Sequence, residues 1–151
     1  MLSFSVFAQN SLSVLAVDSI SNSKTKVYTL DLWKLGKIDS IVVGISAVGE
    51  IDLDSLIVRG GTYFQNLNYK GGTANFSGNF EGITGATLTI NKDSAAIDIV
   101  QNARTLTGTE LKGYNQLQLG VVSASSGNDA TDPTQKFILY YQAYKPIKYS
   151  Q

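Results

Sequence analysis

The sequence predicts an all-β fold, a single-domain antiparallel β-sandwich of either jelly-roll or immunoglobulin-like type. Three observations point there. Apolar and polar residues alternate with a period of two in run after run, the pattern of strands with one buried face. Glycine and Asn/Asp turn signals separate those runs at short spacing. The two prolines, Pro133 and Pro146, stand outside every run, so each strand keeps its full set of backbone donors. A chain of 151 residues is expected to make one domain. The sandwich is expected over 1–144, followed by an extended tail or arm over 145–151.

Leu2-Ser3-Phe4-Ser5-Val6 and Leu12-Ser13-Val14 open the alternation. Residues 1–17 read as mature structure, because polar residues interrupt the apolar ones and no Lys or Arg precedes Lys24, unlike a secretory leader. Tyr28, Leu30 and Leu32 share one side of a run whose other side carries Thr29, Asp31 and Trp33. Ile41, Val43, Ile45 and Ala47 form the next row. Leu88 and Ile90 alternate with threonines, Leu117 and Leu119 with glutamines, and Phe137 to Tyr144 reads as the last strand. Gly36-Lys37, Gly49-Glu50, Gly60-Gly61, Gly71-Gly72, Gly85 and Asn91-Lys92-Asp93 read as turns, and residues 125–133 as an exposed loop. The segment 94–104 is ambiguous. Ala96, Val100 and Ala103 have helical spacing after a candidate cap at Asp93, which suits a short helix, whereas Ile97 and Ile99 alternate about Asp98 as in a strand. Eight or nine strands result.

Composition restricts the chemistry. The chain has no His and no Cys, which removes Ser-His-Asp triads, imidazole and thiolate metal sites and cysteine nucleophiles. No Gly-Lys-Ser/Thr phosphate loop occurs. Glu50, Glu81 and Glu110 could pair with aspartates for glycoside hydrolysis, but such acids occur in any protein, and a substrate cleft normally needs a larger scaffold. Asp52, Asp54 and the 128–132 loop offer oxygen ligands for calcium without the spacing of a known loop, and read better as turn formers. No catalytic residue, cofactor or metal ligand is expected.

Charge is scarce and balanced. Twelve basic residues oppose twelve acidic ones, and charged residues make 16% of the chain against roughly 25% in an average soluble domain. Ser, Thr, Asn and Gly fill 52 of 151 positions instead. Zero net charge gives no field to steer toward nucleic acid. No apolar run reaches the roughly 18 residues of a spanning helix, so neither nucleic acid nor membrane is an expected partner.

Two features remain. The C-terminal Tyr144, Lys145, Pro146, Ile147, Lys148 and Tyr149 alternate cation and aromatic around a proline, which suits an extended arm. Trp33, Tyr63 and Tyr69, the latter two close to Asn66 and Asn68, could form an aromatic platform for glycans. A weakly charged polar surface suits close neighbours, since charge would have to be desolvated there. The expectation is a non-enzymatic structural subunit whose partners are other copies of itself or other structural subunits, anchored by residues 1–10 and 144–151. In overall texture it resembles virion proteins of bacteriophages, such as capsid, decoration or spike components, which implies a place in the virion. The alternative expectation is a carbohydrate-binding or adhesion module.

Overall fold

The computed structural model describes residues 12–65, 76–83, 86–92, 100–111 and 113–146. Within them nine strands form: β1 (Ser13–Asp18), β2 (Thr25–Asp31), β3 (Ser40–Val48), β4 (Leu53–Gln65), β5 (Phe76–Gly82), β6 (Leu88–Lys92), β7 (Val100–Thr107), β8 (Gln116–Ser123) and β9 (Lys136–Tyr144). A 3-10 turn, Leu32–Leu35, follows β2, and one helical turn, α1 (Gly108–Leu111), follows β7.

The strands make two antiparallel sheets. The first has the order β1-β9-β3-β7 and the second β2-β8-β4-β5, with β6 also paired to β4. β5 and β6 run in the same direction along one edge of β4, β5 opposite Arg59–Gln65 and β6 opposite Leu53–Leu56. They are two halves of one broken edge strand. Counted so, the ladders β1·β9, β2·β8, β3·β7 and β4·β5 describe one long antiparallel ribbon folded over on itself. The β3·β9 and β4·β8 ladders then close it into two four-stranded layers. That is jelly-roll topology. An immunoglobulin-like sandwich would keep its early hairpins within a sheet, whereas here every connection from β1 to β4 crosses between layers.

The core lies between the layers and is built from the alternating rows. Ile41, Val43, Ile45 and Ala47 are fully buried and face Leu117, Leu119 and Val121 of the other sheet, with Leu53, Leu56, Val58, Phe137 and Leu139 around them. Residues directly opposite in an antiparallel ladder share a face, so these rows fix which side of each strand looks outward. Each open flank is bridged by polar side chains. On one flank Asp18 of β1 accepts from Tyr28 Oη (2.5 Å) and Lys26 Nζ (2.9 Å) of β2. On the other, Asn102 of β7 donates to the Thr89 carbonyl of β6 (2.9 Å).

Four local expectations need correction. Gly60-Gly61 is no turn: it lies inside the 13-residue β4, and Gly60 is glycine because the Tyr114 ring occupies the place of its side chain. Asn91-Lys92 closes β6 rather than turning. In the 94–104 segment, residues from Val100 onward are strand β7, and a short helix stands at Gly108–Leu111. Residues 93–99 lie outside the described residues, as do Leu2–Val6, Gly71-Gly72 and Gly85. Finally, Trp33 does not sit on a strand, because β2 ends at Asp31 and the chain turns into the 3-10 segment.

Candidate functional site

The outer faces of the two sheets differ in kind. Val14 pairs Tyr140 and Val17 pairs Ile138, with a register shift between Val14 and Ala16. This bulge adds one residue, so Val14 and Val17 both point outward while Leu15 and Ala16 pack toward the core. Leu12, Val14 and Val17 are 62%, 60% and 59% exposed. Beside them on the same face stand Ile138 and Tyr140 of β9 and Val42 of β3, all half-buried. The Tyr140 ring lies across Gly44, where any side chain would overlap it, and burial there pushes the Tyr140 hydroxyl above the usual tyrosine range. By register the face also carries Ser40, Ser46, Gln142, Ala103, Thr105 and Thr107, and Lys136 is its one charged residue among the described positions. The outer face of the second sheet is more polar, with Asp31, Arg59, Gln116, Gln118, Thr25 and Thr29 around Val27 and Ile57.

A cleft opens at one end of the sandwich. Its volume is about 270 Å3, and it is lined by Leu32, Trp33, Ile38, Leu111, Tyr114 and Asn115, with Gly36, Gly108 and Gly113 between them. Leu32 and Leu111 are buried at its base, while Trp33 is 61% exposed. Backbone bonds fix the walls. Leu32 N donates to Asn115 O (2.9 Å), Asn115 N to Gly61 O (3.0 Å) and Tyr114 N to Leu111 O (2.7 Å). Lys34 Nζ sits 5.2 Å from the Trp33 ring centroid and 3.0 Å from Asp31, whose other oxygen accepts from Gln116 Nε2 at 2.6 Å. Tyr114 covers Gly60 and donates to Glu81, a bond that raises the Tyr114 hydroxyl above its ordinary range.

The helical turn behind Tyr114 is held by a reciprocal cap. Thr107 N donates to Glu110 Oε1 (3.3 Å) and Glu110 N to Thr107 Oγ1 (3.4 Å), the Thr-x-x-Glu capping box. Arg104 Nη2 adds a 2.5 Å bond to Glu110. The Thr107 amide first, then Arg104, holds this carboxyl below the usual range. Thr107-Gly108-Thr109-Glu110 was the signal in the sequence that could have located this turn and hence the cleft.

The opposite end carries the acidic segments considered for calcium. Asp129 accepts from both Thr131 N (2.9 Å) and Thr131 Oγ1 (2.6 Å), and Asp132 does the same with Thr134 at 2.8 Å each. Asn128 exchanges two bonds with the Asp52 backbone, at 2.7 and 2.8 Å. These are turn-forming bonds that tie the β3–β4 and β8–β9 connections together. Among the described residues no group of three acids converges as a metal site.

Only part of the proposed glycan platform falls within the described residues. Trp33 is exposed at the cleft; Tyr63 lies in β4 opposite Gly78, its side chain outside the described residues; Tyr69 is outside them altogether. Of the proposed arm, Tyr144 ends β9 and its carbonyl accepts from Asp39 N (2.7 Å), Lys145 is exposed and Pro146 half-buried. Ile147, Lys148 and Tyr149 lie outside the described residues, as do residues 1–10. No helix among the described residues is long and apolar enough to cross a membrane. No family model matches the chain, and no curated protein matches it in sequence.

Proposed function

We propose that this chain is a non-enzymatic structural subunit of a larger assembly, a virion component of capsid, decoration or spike type, that associates through the outer face of its first sheet. The observation that carries the reading is the Leu12, Val14 and Val17 row, each about three-fifths exposed, on a face with a single charge among the described residues. Contiguous apolar surface of this kind marks interaction sites, and a face so poor in charge meets a neighbour while stripping water from few ions. Among the described residues β1 is also an edge strand with neither proline nor lysine, marked by a bulge and bridged to β2 only through Asp18 at its end. The assignment to a virion rests on the jelly roll, which serves in viral capsids but also in lectins and cupins, and on the Ser/Thr/Asn/Gly-rich, charge-poor composition. A second copy of this chain is the neighbour proposed.

The test is a pair of variants in sedimentation velocity. Replacing Val14 and Val17 together by Asp places two charges on the face, and the assembly is expected to dissociate toward the 16.2 kDa monomer. Val27→Asp, an equally exposed valine on the second sheet, is expected to leave the assembly intact. Equal sedimentation of wild type and the double variant would count against the reading, as would dissociation by Val27→Asp alone.

A further inference from the structure

The end cleft is unrelated to the sheet face, and its lining has a chemistry of its own. Among the described residues, none of the nine that line it is charged. Lys34 at its rim is already paired with Asp31, so a charged ligand would be desolvated against an uncharged described lining, which favours a neutral one. The volume, about 270 Å3, stands at the small end of ligand pockets, which begin near ~300 Å3, and suits one ring rather than an extended chain. One wall is a flat indole held from one face by Lys34, and the base is aliphatic. The remainder is Tyr114, Asn115 and the backbone of three glycines, two of which, Gly36 and Gly113, have open space where a side chain would be. Bare backbone of this kind lets a ligand approach peptide donors and acceptors directly.

A neutral ring with one flat C–H face and a rim of hydroxyls matches this lining. We infer that the cleft is a carbohydrate site that takes a single neutral pyranose. The sugar stacks its C–H face on Trp33, while its hydroxyls meet Asn115 and the glycine backbone. Among the described residues the site takes Trp33 from the aromatic trio expected from sequence, and its other walls come from the α1 turn and the residue pair Tyr114-Asn115.

Trp33 is the only tryptophan in the chain, so its fluorescence reports the site without labelling. Wild-type protein is titrated with methyl glycosides of glucose, galactose, mannose and N-acetylglucosamine, and in parallel with N-acetyltyrosinamide as a neutral aromatic. At least one glycoside is expected to give a saturable change. Binding followed by calorimetry is expected to weaken about tenfold or more in Trp33→Ala, in line with loss of an aromatic anchor, and to be retained in large part by Trp33→Phe. Trp33 is exposed, so both variants fold, as circular dichroism will register. Silence toward all four glycosides overturns the inference, as does response to the tyrosine amide alone or glycoside binding that survives in Trp33→Ala.

Discussion

Asp18 and Tyr28 show how a single contact joins the two layers. The Tyr28 hydroxyl, then Lys26, hold the Asp18 carboxyl below its usual range, against burial, which acts the other way. Burial first, and then Asp18, push the Tyr28 hydroxyl well above the ordinary tyrosine range. A depressed carboxyl contributes stability above its unfolded value, lost as pH falls below about 4; a raised phenol contributes stability lost as pH rises above about 10. Stability is therefore greatest between those limits. Tyr28→Phe is expected to cost about 1 kcal/mol at neutral pH and to return the Asp18 carboxyl toward its ordinary range. Urea unfolding as a function of pH and an NMR titration of that carboxyl measure both. Gly60 makes a second prediction at this scale. Alanine there would collide with the Tyr114 ring, so Gly60→Ala is expected to lower stability by roughly 1–3 kcal/mol and to break the Tyr114–Glu81 bond, visible as a fall of the Tyr114 hydroxyl toward its ordinary range. Such a glycine reads as a turn in the sequence, because the ring that excludes a side chain comes from 54 residues further along.

At the scale of elements, strands were legible where unbroken alternation meets the core, and less so in β4 and β7. The rows Ile41/Val43/Ile45/Ala47 and Leu117/Leu119 are buried as their alternation predicts. Alternation fails where geometry adds a residue. From strict period two, Val17 would face inward with Leu15; the bulge after Val14 turns Val17 outward and creates the apolar row. Only a partner strand reveals that bulge, and β9 lies more than a hundred residues away. The same limit hid the cleft. Trp33 is exposed as expected, but by a 3-10 turn rather than by strand alternation, and its companions come from the α1 turn. That turn depends on its capping box, so Thr107→Ala is expected to cost about 1 kcal/mol. Because α1 carries Leu111 and leads to Tyr114, faster amide exchange should spread through 108–115 while the core strands keep their protection.

For the whole molecule, the jelly roll leaves two outer faces of opposite character on one neutral chain. Composition announced a surface poor in charge, and the fold concentrates that poverty on one side. Apolar residues of the first sheet cluster at β1 and β9, whereas Asp31 and Arg59 go to the second. The cleft stands at the end of the sandwich, apart from either face, so the proposed assembly and the proposed sugar binding are expected to separate by mutation. Asp18 and Asn102 bridge the flanks within one chain, and the Val14/Val17 double variant should melt close to wild type while assembling poorly. The central claim is that this face binds another copy of the chain. Multi-angle light scattering of the wild-type protein across micromolar to millimolar concentration tests it most directly. A mass rising to a fixed multiple of 16.2 kDa is the predicted result. A mass of 16.2 kDa held through the highest concentration would contradict it.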